Sequence, residues 1–181
     1  AGANVRLISG PVNLSAPAHC HVIPVITADE MYQTSMQAST SADVFIGAAA
    51  VADYTCADIS AQKIKKQAPN LLLQLEKTSD IITAVRNSND RLYVVGFAAE
   101  TENLTSNARL KLQQKKLNAI IANDVSRLDI GFNADYNEAY WITPKNQVRM
   151  QKKTKSQLAR DIIVHIASDM DLWIVADSNI G

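Results

Sequence analysis

The stretch Gly47-Ala48-Ala49-Ala50-Val51-Ala52-Asp53-Tyr54 constrains this chain more than any other. It follows an apolar run, Val44-Phe45-Ile46, that reads as a buried strand. One glycine and four alanines leave the backbone bare where that strand ends, and the Asp53 carboxylate comes next. Small residues at the C-terminal edge of a strand let a ligand approach the main chain, as in open α/β sheets. Ten residues beyond Asp53, the basic cluster Lys63-Ile64-Lys65-Lys66 makes that ligand an anion. Together the two segments point to a nucleotide.

The same logic recurs. Residues 91–98 form the clearest buried strand in the chain, and Gly96-Phe97-Ala98-Ala99-Glu100-Thr101 again closes on small residues and a carboxylate. Two such edges side by side make a crevice at the C-terminal rim of a parallel sheet. Asn123-Asp124-Val125 follows a third strand, over 119–122, and serves either a ligand or an Asx turn. Phe97 stands among its small neighbours either as core or as a platform for a base.

Further strands are predicted over 5–9, 22–25 and 71–77, and a hairpin over 139–143 and 147–150 turns on Pro144-Lys145-Asn146. Helices are predicted over 28–39 with Thr27 as N-cap, 80–87 with Ser79 as N-cap, 104–116 and 156–168. Alternating strands and helices through the middle imply an α/β fold: a Rossmann-like three-layer α/β/α arrangement, with a mostly parallel sheet and a mixed edge. At 181 residues, with 47% apolar and 20% charged residues, the chain suits one domain with a substantial core.

Eighteen basic and eighteen acidic residues cancel, so overall charge steers the chain toward neither nucleic acid nor anionic membrane. Any anion site is therefore local. No apolar run approaches membrane-span length, and Cys20 and Cys56 are too few for a disulfide framework; a cytoplasmic protein with reduced thiols is expected. His19-Cys20-His21 would put two imidazoles on one face of a strand, but no second ligand cluster completes a metal site, and His165 stands alone on a helix. Lys111 and Lys115 share a helix face and, with Lys63 and Lys66, are candidates to meet a polyphosphate.

In this order, the motifs resemble phosphopantothenate–cysteine ligase, in many bacteria the C-terminal half of a bifunctional coenzyme A biosynthesis protein. The resemblance rests on Gly2-Ala3-Asn4-Val5, Ser9-Gly10-Pro11-Val12, Ala49 to Tyr54, Lys63-Ile64-Lys65-Lys66, Val94 to Thr101, Ala122-Asn123-Asp124-Val125 and Gly131-Phe132-Asn133. It implies condensation of 4′-phosphopantothenate with cysteine, at the expense of CTP and through an acyl-cytidylate, with Mg2+ on the triphosphate. Carried over by position, Gly47, Ala48, Ala49 and Asp53 would touch the nucleotide, and Lys63 would stabilise phosphate charge as the catalytic lysine. Ser79, Asp80, Ile81 and Ile82 would lie beside the nucleotide, Phe97 against it, and Lys111 and Lys115 on its phosphates or base edge.

The resemblance also implies a homodimer and a flavin-dependent phosphopantothenoylcysteine decarboxylase, fused upstream or assembled with the domain. It covers about residues 1–170 as the ligase domain and leaves 171–181, with Trp173, as a tail without counterpart. Gly2 reads as the C-cap of a helix that precedes the first strand, so the chain is expected to begin inside a βα unit and to lack part of the catalytic apparatus. Two departures from the family pattern stand out. Ser79 replaces a proline before Asp80-Ile81, and Lys116 and Asn118 replace an asparagine and an aspartate after the second helix lysine. The competing readings are a CTP-binding or assembly module without turnover, and an NAD- or FAD-binding Rossmann-like oxidoreductase.

Overall fold

Two short strands open the chain, β1 (Val5–Ser9) and β2 (Cys20–Pro24), which pair in parallel with Val5 opposite Cys20. The structure is a computed structural model and describes residues 2–58, 60, 62–64, 71–126 and 134–172. Gly2 holds φ +72°, in the left-handed region that favours glycine. Helix α1 (Ala28–Ser39) starts in a full capping box: Thr27 accepts from the Glu30 amide, and Glu30 reaches back to the Thr27 amide.

A five-stranded sheet then forms the centre. Its order is β3 (Val44–Gly47), β6 (Tyr93–Glu100), β7 (Ala119–Asp124), β8 (Tyr136–Ile142), β9 (Gln147–Thr154). The first three run parallel, and β8 and β9 add an antiparallel edge. A separate antiparallel pair, β4 (Tyr54–Cys56) and β5 (Leu75–Lys77), projects between β3 and α2 (Ile81–Ser88) in the chain order. Helices α3 (Leu104–Gln114) and α4 (Lys155–Asp169) complete the set among the described residues, the latter opened by a second capping box between Thr154 and Gln157.

Side chains alternate across a strand, so each face of the sheet builds its own core. On one face Val94, Ala98, Ile120 and Ala122 pack with Val85 of α2 and Ala108 and Leu112 of α3. On the other, Tyr93, Val95, Ile121 and Trp141 pack with Leu158, Ile162 and Ile166 of α4. Val94, Val95 and Ile120 are at most 2% exposed, and a buried side chain of this type contributes about 1.5–3 kcal/mol. The expected three-layer α/β/α fold with a mixed edge is the one observed.

Several local expectations are corrected. Asp80, not Ser79, caps α2, accepting from the Thr83 amide at 3.1 Å. Helix α3 stops at Gln114 with Lys115 as C-cap, and Lys116 adopts φ 52°. The predicted strand over 71–77 shrinks to β5, because Leu71, Leu72 and Leu73 are exposed and find no apolar partner layer. Its partner β4 is too short and polar to show a period of two in the sequence. His19 takes φ 63° in the turn before β2, so His19 and His21 do not share a strand face. His165 stacks on Trp141 at 5.3 Å. Among the described residues no three His, Cys, Asp or Glu side chains converge on a metal-sized site. Cys20 and Cys56 are free thiols. Lys65, Lys66, the segment 131–133 and Trp173 lie outside the described residues.

Candidate functional site at the sheet rim

The C-terminal end of β3 lies beside the middle of β6, with Gly47 directly opposite Gly96, and β6 runs on to Glu100. Both glycines face α2. A Cβ on Gly47 would stand 3.0 Å from Ile82 Cδ1, and one on Gly96 would stand 3.1 Å from the same atom and 2.8 Å from Leu117 Cδ1. The bare backbone here admits the Ile82 side chain, so these positions serve helix–sheet packing. That close contact brings the N-terminus of α2 down onto the rim.

Beyond Gly47, Ala48, Ala49, Ala50 and Asp53 are exposed. The end of this loop is tied to the segment entering α2: the Thr78 amide donates to the Asp53 carbonyl at 2.9 Å, and the Thr78 hydroxyl donates to the Ala52 carbonyl at 2.6 Å. Thr78 therefore holds the small-residue loop beside Ser79 and Asp80. Its contribution was not visible in sequence, because a threonine before a helix reads only as a capping residue.

The helix lysines meet carboxylates. Lys115 Nζ lies 2.9 Å from Asp80 Oδ2, and Lys111 Nζ lies 2.6 Å from Glu100 Oε1. Burial pushes the Asp80 carboxyl up. The hydrogen bond from Lys115, those from the Thr83 amide and hydroxyl, and the lysine charge outweigh it and hold the carboxyl below its ordinary value. Lys63 is exposed.

Phe97 lies on the opposite face of β6, opposite Ile121 in register and 39% exposed. It is neither a buried core residue nor on the side of Lys111 and Lys115, and a ligand touching all three must cross the rim. Asp124 Oδ1 accepts from the Ser126 amide at 2.9 Å, so the Asn-Asp pair forms the Asx turn. Asn118 Oδ1 accepts from the Val94 amide at 2.8 Å and from Arg86 at 3.2 Å. An amide oxygen thus fills the acceptor role at the position where the family pattern has a carboxylate. A concavity of about 730 Å³ lies at the far, N-terminal end of the sheet, lined by Met36, Asp43, Asn89, Arg91 and Met170 among others. It lies apart from the charged rim and is lined by none of the predicted site residues.

The family model for the C-terminal domain of DNA/pantothenate metabolism flavoproteins matches residues 1–170. The chain belongs to this family. The chain is 43% identical, over 166 residues, to the coenzyme A biosynthesis bifunctional protein CoaBC of Haemophilus influenzae, a match covering 91% of the chain and 41% of the relative. The domain thus spans about two fifths of that relative's length. The crystal structure of the C-terminal domain of a CoaBC protein superposes with a TM-score of 0.78 at 30% identity, over 94% of this chain and 76% of that one. A mutant of Cab2, solved in complex with phosphopantothenate-cysteine, shares the fold at a TM-score of 0.66 and 15% identity, over 84% of this chain and 55% of that one. No described helix is long and apolar enough to cross a membrane.

Proposed function

We propose that this domain is an acid–amino-acid ligase of coenzyme A biosynthesis, condensing 4′-phosphopantothenate with cysteine and spending CTP. The observation that carries the reading is the rim itself: a bare loop, Gly47 to Asp53, beside the α2 N-terminus, with Lys115 on the α2 cap and Lys111 at the end of β6. Open α/β sheets bind nucleotides at such edges. The relatives named for coenzyme A biosynthesis supply the pathway, and the Cab2 complex supplies the product class.

In the first step a carboxylate oxygen of phosphopantothenate bonds to the α-phosphorus of CTP, and the bond to pyrophosphate breaks. In the second, the cysteine amine bonds to the acyl carbon, the bond to the cytidylate oxygen breaks, and the amine gives up a proton. Charge accumulates on phosphate oxygens in the first step, and fixed cations offset it. Lys63 is assigned that role, with Lys111 and Lys115 binding phosphates or the base edge and Phe97 packing on the nucleotide. Ser79, Asp80, Ile81 and Ile82 line it at the α2 N-terminus. Magnesium on the triphosphate would offset part of its charge, and because such an ion needs only one or two protein carboxylates, the exposed Asp53 of the loop would be the residue to hold it.

The β4–β5 pair and the segment entering β5 leave Tyr54, Leu72 and Leu75 at 60%, 96% and 55% exposure, which supports a homodimer built on this arm. The bifunctional relatives support association with a second enzyme of the same pathway, read here as the flavin-dependent phosphopantothenoylcysteine decarboxylase.

Calorimetric titration with CTP and with ATP, each with magnesium, tests the reading. Selective CTP binding that is lost in Lys63→Ala supports it. Pyrophosphate release dependent on phosphopantothenate then separates a ligase from a binding module. Binding of NAD or FAD with no response to CTP overturns it.

A further inference from the structure

Glu100 is the last residue of β6, and three contacts meet on it. Oε1 accepts from Lys111 Nζ at 2.6 Å, Oε2 accepts from Asn107 Nδ2 at 3.3 Å, and the carbonyl accepts from the Val125 amide at 3.1 Å. Asn107 and Lys111 are four residues apart on α3 and so share a face. One carboxylate therefore clamps that face to the strand end, while its own main chain is held by the segment after β7.

The two charges of the pair are unequally placed. The Glu100 side chain is 13% exposed, whereas that of Lys111 is 47% exposed. The carboxylate sits beneath, and the ammonium is presented above it. A lysine ammonium has three donors, of which Glu100 takes one, and the others remain for oxygens arriving from solvent. Lysine–carboxylate pairs this open to water stabilise folds very little. What the pair supplies is a fixed position. A free lysine side chain loses its rotamer freedom when it meets a phosphate, and one already held from below has less to lose.

We propose that Glu100 is a positioning residue for the nucleotide, acting through Lys111. The inference rests on the reading of Lys111 as a nucleotide contact and deepens it, since it assigns a role to a residue outside the predicted contact set.

The test is a double-mutant cycle on the dissociation constant of magnesium-CTP, measured by calorimetry on this chain. Glu100→Ala is expected to weaken binding by roughly tenfold, the size of one lost hydrogen bond to a charged group. Glu100→Gln keeps an acceptor for Lys111 and is expected to recover most of that loss. In a Lys111→Ala background, Glu100→Ala should cause no further weakening. A role confined to folding predicts the opposite: equal losses with and without Lys111, tracking thermal stability, and no rescue by glutamine. Tighter CTP binding in Glu100→Ala would also overturn the proposal, because the carboxylate would then be competing with phosphate. If Lys111→Ala binds CTP like the parent, the nucleotide reading of Lys111 itself fails. If Lys111→Ala weakens binding and Glu100→Ala does not, only the positioning role fails.

Discussion

Lys115 Nζ stands 2.9 Å from Asp80 Oδ2, joining the C-cap of α3 to the N-cap of α2. The same carboxylate accepts from the Thr83 amide at 3.1 Å and the Thr83 hydroxyl at 2.9 Å. One side chain thus starts a helix and ties it to its neighbour at the rim where the nucleotide is proposed to bind.

That arrangement sets an acid dependence. Burial raises the Asp80 carboxyl, but the Lys115 and Thr83 hydrogen bonds leave it below its ordinary value. A depressed folded value contributes stability that is present above the unfolded value, about 3.9, and is lost as pH falls through the folded one. Asp80→Asn keeps a capping side chain while removing the charge. Urea midpoints measured from about pH 6 to about pH 3 should therefore fall more for the parent than for Asp80→Asn. Equal slopes would mean that the pair contributes nothing to folding.

Gly47 and Gly96 differ in how they can be relieved. Ile82 Cδ1 is the nearest obstacle to a Cβ at Gly47, at 3.0 Å, whereas Gly96 also faces Leu117 Cδ1 at 2.8 Å, and Leu117 is 4% exposed. Alanine at either position should destabilise by about 1–3 kcal/mol through overpacking. Ile82→Val removes the Cδ1 atom, so it should restore Gly47→Ala nearly to the level of Ile82→Val alone and Gly96→Ala only in part. Denaturant midpoints of the four single and double variants, together with Ile82→Val, decide the matter.

Thr78→Val removes the hydroxyl bond to the Ala52 carbonyl while leaving the main-chain bond to Asp53. The carbonyl lies where water can replace the donor, so stability should change little. A bond worth about 0.5–1.5 kcal/mol corresponds to a loss of about twofold to tenfold in CTP affinity, if the loop contacts the nucleotide as proposed. Calorimetry beside a thermal melt separates the two effects. A lowered melting temperature with unchanged affinity would make Thr78 purely structural.

Tyr93 donates to Asp169 Oδ2 at 2.6 Å across the α4 face. Burial, then the hydrogen bond to Asp169 and its charge, push the phenol well above its ordinary value. A raised folded value contributes stability that is complete below the unfolded value, about 10, and lost as pH rises through the folded one. Tyr93→Phe should cost about 1.5–3 kcal/mol near neutral pH, as for a hydrogen bond to a charged group. It should also flatten the alkaline decline of stability, read from urea midpoints between about pH 8 and about pH 11.

Sequence alone determined the elements whose signals are local. The apolar runs at 44–46, 91–98 and 119–122 read as strands from their short length and β-branched and aromatic content, and β3, β6 and β7 form there with β6 shifted to 93–100; Thr27 with Glu30 carries its capping box within four residues. The rim was legible too, since a strand that ends in glycine and alanine announces a close approach wherever it folds. Tertiary structure decided what approaches. Ile82 fills the space over Gly47 and Gly96, a contact between helix and strands that no spacing records. It also decided that Phe97 and Lys111 lie on opposite faces, through the pleat of β6 and its register with β7. The partners Asp80–Lys115, Glu100–Lys111 and Thr78–Ala52 are separated by 35, 11 and 26 residues. Two lysines on one helix face announce only positive charge; which carboxylates meet them depends on how α2, α3 and β6 pack, because side-chain pairing across elements is set by the assembled core and not by sequence distance.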